Sequence, residues 1–297
     1  RKIWDMYLSP TLSDKKGKAI FITTPNGYNW IYDLYLLGKQ DPKWYSTSSP
    51  SWDNYHAFPD GYNDEFLQER KRNLSKEIFD QEYGAKFASF QGKVYPFDRD
   101  IDVKKVKYQP HLPTYCTIDF GYRMPAVLFM QTYRNNGVWY INIIDEIIHK
   151  KNVATETLAQ MILDKNYPVL HYYGDPAGYN VQGQTGMGDI EIFKNCGINV
   201  RFRTDKASRN IASSVSYVRG FFESASGERK ISVSDKCTGI IEDFENYRYP
   251  EEVEGKTLSN DPIKDGFYEH GCDAFRYFIT NRFPMTNNEL IRIARWY

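Results

Sequence analysis

The 297-residue sequence has no apolar run approaching the roughly 20 residues that a membrane-spanning helix needs. Its first residues, Arg1-Lys2-Ile3-Trp4-Asp5, contain no apolar core of a secretory signal. No CxxC pair occurs. Cys116, Cys196, Cys237 and Cys272 stand far apart, which speaks against a zinc knuckle and for reduced, mostly core thiols. Net charge is also missing, because 38 basic side chains meet 38 acidic ones. This disfavours a generally adhesive polycation and leaves room for a local basic groove. No G-x-x-x-x-G-K-[ST] loop is present; Gly38-Lys39 lacks the upstream glycine and the following Ser or Thr. There is no internal repeat, no low-complexity tract and no initiator Met, so a piece of a longer chain is expected.

What is present suffices for a packed interior. Hydrophobic residues make up 41% and aromatic residues 16%, which excludes general disorder. Residues 18–24, KAIFITT, are predicted as a buried strand closed by Pro25-Asn26-Gly27, followed by a helix over 28–38 and a strand over 43–49. Two helical stretches occupy 66–74 and 76–83, and the charged run 98–105 reads as a linker, with a domain boundary near 97–110. Three strands follow at 115–120, 126–133 and 138–147, the last two joined by the hairpin signal Asn135-Asn136-Gly137. Helices at 153–166, 187–196, 208–224, 237–247 and 267–282 then alternate with strands at 169–175, 198–203 and 230–234. Residues 247–265 read as a hairpin or loop. The order predicts an α/β fold: a mixed sheet, three antiparallel strands then parallel ones, covered by helices.

Asp119 and Asp175 each close an apolar strand. An acid at a buried strand end costs desolvation energy unless it is paired or bound to a cation. Asp273 lies inside an apolar helix, with His270 three residues earlier on the same face. Taken singly, a strand-end Asp is more often a turn former or cap, a helix Asp a solvated or paired charge, and a lone His a satisfied one. Taken jointly, two neighbouring strand ends and one helix face converge their acids at one sheet rim. Hard oxygen donors of that kind suit Mg²⁺ or Mn²⁺, and two such ions about 3.5–4 Å apart support phosphodiester hydrolysis. Asp265, in an Asp-Gly pair, reads as a turn, and Asp145-Glu146 as a surface pair. Arg201, Arg203, Lys206 and Arg209 crowd a strand-to-helix corner that either holds backbone phosphates or is ordinary solvated surface.

TIDFG (117–121), YGDPAG (173–178) and EHGCDAFRYF (269–278) resemble the acidic motifs of the large terminase subunit of tailed bacteriophages. The pattern His270, Asp273, Ala274, Arg276, Tyr277 is the most specific piece. ITTPNG (22–27) looks like the turn that couples ATP hydrolysis to movement in the packaging ATPase, with Thr23, Thr24 and Pro25 as its coupling residues. FDQEYGAKF (79–87) resembles the segment preceding the nuclease. The resemblance implies a ribonuclease H-like nuclease over 98–297, preceded in 1–97 by the remainder of the ATPase domain and a linker. It implies Asp119, Asp175 and Asp273 as metal ligands, with His270 as a further ligand or proton handler. It also implies double-stranded DNA as substrate, cut with little sequence preference, with portal protein and small terminase subunit as partners. The expected location is the host cytoplasm and, transiently, the procapsid portal, with no membrane and no secretion. Met124 stands where many relatives carry an acid, and without a phosphate-cradling loop the chain alone is expected not to hydrolyse ATP. Other expectations with the same residues are a resolvase- or transposase-like enzyme, or a non-catalytic motor or portal-docking domain.

Overall fold

Asn136 and Gly137, with φ of 47° and 84° in the computed structural model, form the tight turn that folds two ten-residue strands onto each other. The structure describes residues 2–13, 16–25, 30–87, 92–120, 123–175, 178, 188–250 and 261–285, apart from the side chains of 206 and 207. It divides into two compact units, 1–71 with 76–90, and 72–75 with 91–297.

Among the described residues this part of the chain has as its longer helices α1 (Trp30–Gln40), α2 (Glu65–Asn73) and α3 (Lys76–Glu82). Leu67, Phe79 and Tyr83 are buried, and Trp52 packs against Tyr62 and Phe79. Neither strand expected here forms. Residues 18–24 belong to no ladder, and Ile20 and Ile22 are 85% and 94% exposed while Phe21 packs edge-on against Trp4. Residues 43–49 are irregular, and the Ser46 and Ser48 hydroxyls donate to the carbonyls of Tyr35 and Ala85. Apolar residues of strand type do not make a strand without a neighbour to take their backbone hydrogen bonds, and no described strand offers one. The turn residues Asn26 and Gly27 lie outside the described residues.

The second unit is built on a seven-stranded sheet. Its strands are β1 (Val103–Lys104), β2 (Thr114–Asp119), β3 (Ala126–Asn135), β4 (Val138–Ile147), β5 (Val169–Gly174), β6 (Val200–Arg201) and β7 (Ile231–Ser234), in the order β1-β7-β4-β3-β2-β5-β6. β2, β3 and β4 are antiparallel neighbours, whereas β5 runs parallel to β2, β6 to β5, β7 to β4 and β1 to β7. The mixed α/β sheet is the one expected. Two differences are local. Only residues 200–201 of the predicted 198–203 strand join the edge, pairing with Tyr172 and Tyr173. The charged run read as a linker is folded: Asp102 is buried and takes Arg229 at 2.6 and 2.9 Å, and Val103–Lys104 add an edge strand.

Every residue of β2 is buried, as befits a strand covered on both faces. Alternation sends Cys116 and Ile118 to one face, where they join a core with Phe129, Leu158 and Ile162 of α4 (Thr155–Asp164) and Phe193 of α5 (Asp189–Asn195). It sends Tyr115, Thr117 and Asp119 to the other. There α6 (Ile211–Phe222), α7 (Thr238–Asn246) and α8 (Glu269–Arg282) supply Phe222, Phe244, Phe275 and Phe278. The Thr117 hydroxyl donates to the Ala274 carbonyl at 2.8 Å, pinning α8 across β2.

Glu146 is not the surface acid expected. Its two oxygens accept the Gly239 and Ile240 amides at 2.8 Å, satisfying orphan donors at the start of α7 from a distant strand. Asp145 instead pairs with Lys165 at 2.7 Å. Glu146→Ala should therefore lower unfolding stability by about 1–2 kcal/mol, the usual worth of a helix cap. Urea denaturation measures it, and an unchanged midpoint would show that the cap contributes nothing.

Candidate active site

β2 and β5 are parallel neighbours, so their carboxyl ends meet at the same rim. Ile118 pairs with Gly174, which sets Asp119 beside Asp175 one residue further along. Asp119 shares the face of Thr117 and Tyr115, and Asp175 follows Tyr173, which stacks on Tyr115 with centroids 6.1 Å apart. That is the face crossed by α8. The helix presents His270, Asp273 and Tyr277 at spacings of three and four residues, one above the other along one side.

Each acid has a partner on this helix. The Nδ1 atom of His270 lies 2.8 Å from Oδ2 of Asp119. The Tyr277 hydroxyl donates to Oδ2 of Asp175 at 2.9 Å. Oδ1 of Asp273 accepts from Nε and Nη2 of Arg276 at 3.1 and 2.9 Å. Arg276 is 4% exposed, sits over the Tyr277 ring and also donates to the Ser214 hydroxyl of α6 at 3.3 Å. One helix thus carries the third acid and a polar partner for all three.

The electrostatics follow from the crowding. Burial pushes the Asp119 carboxyl up to about 6; His270 opposes the rise, and the charges of Asp273 and Asp175 add to it. The hydrogen bond to Asp119 raises His270 above its ordinary value against the effect of burial. For Arg276 burial disfavours the charge, and Asp273 more than offsets it. Burial, with Asp119 and Asp273 nearby, raises the Tyr277 hydroxyl, which therefore stays a donor.

Among the described residues no group of His, Cys, Asp and Glu stands at the spacing of a formed metal shell. The donor chemistry nonetheless fits a hard divalent cation: carboxylate oxygens come from three elements, and the charges of Asp273 and Asp175 add to the proton affinity of Asp119. Sequence reasoning singled out the three acids and His270. It assigned no role to Tyr277 or to the Arg276 clamp, although their spacing from Asp273 was the available signal. Asp265 is a turn former, accepting the Phe267 and Tyr268 amides at 2.8 and 2.9 Å.

The basic corner makes local contacts. Arg203 is tied to Asp205 at 2.7 Å, Arg201 lies 3.3 Å from the His171 ring, and Arg209 is exposed. The Lys206 side chain lies outside the described residues, as do Gly121 and Pro176. Thr23 donates to the Thr24 carbonyl at 3.1 Å, and Pro25 is buried.

A family model described as Terminase RNAseH like domain matches residues 119–281, from the first acid past the third. The terminase large subunit of Escherichia phage T5 is 28% identical over 283 residues, covering 92% of this chain and 60% of that protein. The terminase large subunit of Thermus phage G20c is 32% identical over 108 residues, 31% of this chain and 21% of that one. Among solved structures, the large terminase of a thermophilic bacteriophage matches with a TM-score of 0.63 at 18% identity, covering 92% of this chain and 65% of the other. The nuclease domain of the P22 large terminase matches at 0.50 and 13%, covering 64% of this chain and 92% of the other. These structural likenesses speak to the fold. The chain spans about 60% of the length of the T5 relative. Among the described residues no helix is long and apolar enough to cross a membrane.

The raised proton affinities at the rim give a pH dependence of definite sign. Asp119 and His270 both bind protons more tightly in the folded state than in the unfolded chain. The stability each contributes is therefore present at low pH. It is lost as pH rises through about 6 for Asp119, and above the ordinary histidine range for His270. In metal-free buffer, Asp119→Asn should gain on the wild type as pH rises from about 4 to 7, by on the order of 1–3 kcal/mol at neutrality. Urea unfolding across that range measures the difference, and parallel curves would contradict it.

Proposed function

The chain belongs to the terminase RNase H-like domain family, and from that footing we propose that it is the endonuclease part of a phage DNA-packaging terminase. In this reading it hydrolyses phosphodiesters of duplex DNA with little sequence preference. The observation that carries it is the convergence of Asp119, Asp175 and Asp273 on one rim, each with a partner on α8.

In this reading the three acids hold two Mg²⁺ or Mn²⁺ ions. When bound, such ions would activate water and stabilise charge on the leaving oxygen. The chain's own residues supply position and charge balance. Arg276 fixes Asp273 through two hydrogen bonds to one oxygen, and Tyr277 orients Asp175. His270, raised toward its protonated form by Asp119, is suited to hold or deliver a proton at Nδ1 beside the rim. With such ions bound, hydrolysis would need no covalent enzyme intermediate.

Residues 1–97 are proposed to be the end of the packaging ATPase domain with its linker, Thr23, Thr24 and Pro25 its coupling turn, and 98–297 the nuclease. Without a phosphate-cradling loop, this chain by itself is proposed to lack ATP turnover. In the full motor the partners would be duplex DNA, the portal protein and the small terminase subunit. The setting would be the host cytoplasm, transiently at the procapsid portal.

Plasmid cleavage with Mn²⁺, Mg²⁺ and chelator tests the central reading. Asp119→Asn, Asp175→Asn and Asp273→Asn should each lower Mn²⁺-supported cleavage by roughly two orders of magnitude or more while the fold persists. His270→Ala should cost less, about tenfold to a hundredfold. Wild-type rates in two of the three Asn variants would reduce the acids to strand caps and sink the assignment.

The corner of Arg201, Arg203, Lys206 and Arg209 is proposed to grip DNA phosphates. Replacing Arg203 and Lys206 with Ala together should weaken binding uniformly across sequences and flatten the dependence of log affinity on log salt by about one to two units. An unchanged slope in a folded variant would leave this corner as solvated surface.

A further inference from the structure

Behind the first turn of α8 lies a second His–Asp pair that the proposed chemistry does not use. Asp243 of α7 is fully buried. Its Oδ1 lies 2.8 Å from Nε2 of His149, which follows β4 in left-handed backbone with φ 59°. Oδ2 of Asp243 lies against Gly271, which directly follows His270 in the first turn of α8. A Cβ on Gly271 would collide with that oxygen and approach Ile240 and Ile148 to 2.9 and 3.1 Å. The His149 ring stacks on Phe267 at 4.3 Å, just before α8 begins.

Local groups cap this helix entry as well. Asp265 and Glu269 both accept the Phe267 amide, and Glu269 also accepts that of Gly266. They set where the helix starts but not where its first turn lies over the sheet. Contacts that reach it from outside include the His270–Asp119 hydrogen bond, the stacked His149 ring and, behind Gly271, the Asp243 carboxyl with Ile240 and Ile148. The Gly271 amide is one of the orphan donors of a helix start, and it favours the charged form of Asp243. Burial nevertheless pushes that carboxyl up to about 9, with Glu146 adding to the rise, and burial holds His149 below its ordinary value. Both shifts favour a neutral acid beside a neutral imidazole, with Oδ2 of Asp243 toward Gly271.

We infer that His149 and Asp243 are positioning residues: with the bare Gly271 they seat the first turn of α8 and so set where His270 and Asp273 face Asp119. The catalytic meaning of this inference rests on the nuclease reading; the seating itself does not. Asn in place of Asp243 reproduces the neutral acid, with its amide donating to His149 and its carbonyl facing Gly271. Ala leaves the turn unsupported.

The test uses the whole chain and the variants Asp243→Asn, Asp243→Ala and Gly271→Ala. Hydrogen exchange of the amides of 270–273 is measured without metal, beside Mn²⁺ affinity by calorimetry and plasmid cleavage. Asp243→Ala and Gly271→Ala should speed exchange in this turn by about tenfold relative to the later turns of α8, and weaken Mn²⁺ binding and cleavage by about tenfold or more. Asp243→Asn should stay within about threefold of the wild type in all three. Should Asp243→Ala not fold, Gly271→Ala, which keeps both side chains of the pair but crowds Oδ2 of Asp243, decides by the same readouts. Variants that lose global stability yet keep wild-type exchange at 270–273 and wild-type Mn²⁺ affinity would overturn the inference and leave the pair a plain core contact. If the wild type neither binds Mn²⁺ nor cuts DNA, the nuclease reading fails, while the exchange data still decide whether the pair seats the turn.

Discussion

Crowding negative charge at the end of a buried strand is the constraint around which the second unit is arranged. Asp119 closes a strand whose every residue is buried, and Asp175 and Asp273 stand near enough to raise its proton affinity further. A carboxylate in such a place is costly unless something answers its charge. α8 answers it three times, with an imidazole, a phenol and a guanidinium. The helix must therefore lie at one height and rotation over the sheet, since a shift of one residue would carry His270 and Tyr277 away from Asp119 and Asp175.

Several features serve that requirement. Thr117 ties the middle of α8 to β2, and the aromatic layer of Phe222, Phe244, Phe275 and Phe278 fills the space between helices and sheet. Acids distant in sequence meet helix starts: Glu146 takes two amides of α7, and Asp243 faces the first turn of α8. A helix that begins against a buried carboxyl is anchored at its end as well as along its side, which suits a helix bearing site residues in its first two turns.

Much of this was legible beforehand because it is encoded locally. Asn136-Gly137 dictates its turn through positive φ, and the apolar runs on either side pair in the register that the turn imposes. The acids stood out because an Asp ending an apolar strand is chemically conspicuous. The failures have a common cause. KAIFITT has strand composition, but a strand is a relation between segments, and no described segment pairs with it. Residues 98–105 looked like a linker because they are charged, yet Asp102 is buried through its ion pair with Arg229, more than a hundred residues away.

The sequence by itself therefore determined the order of elements from β2 onward, the hairpin and which acids stand at strand ends, since propensity, turn chemistry and periodicity act over a few residues. Only the tertiary structure decided that Asp119 and Asp175 share a rim, that Tyr277 and His270 reach them, and that Asp243 lies beneath Gly271. Those relations join residues up to 151 positions apart. They depend on strand register and on the seating of one helix, and burial and packing set both across the whole unit at once.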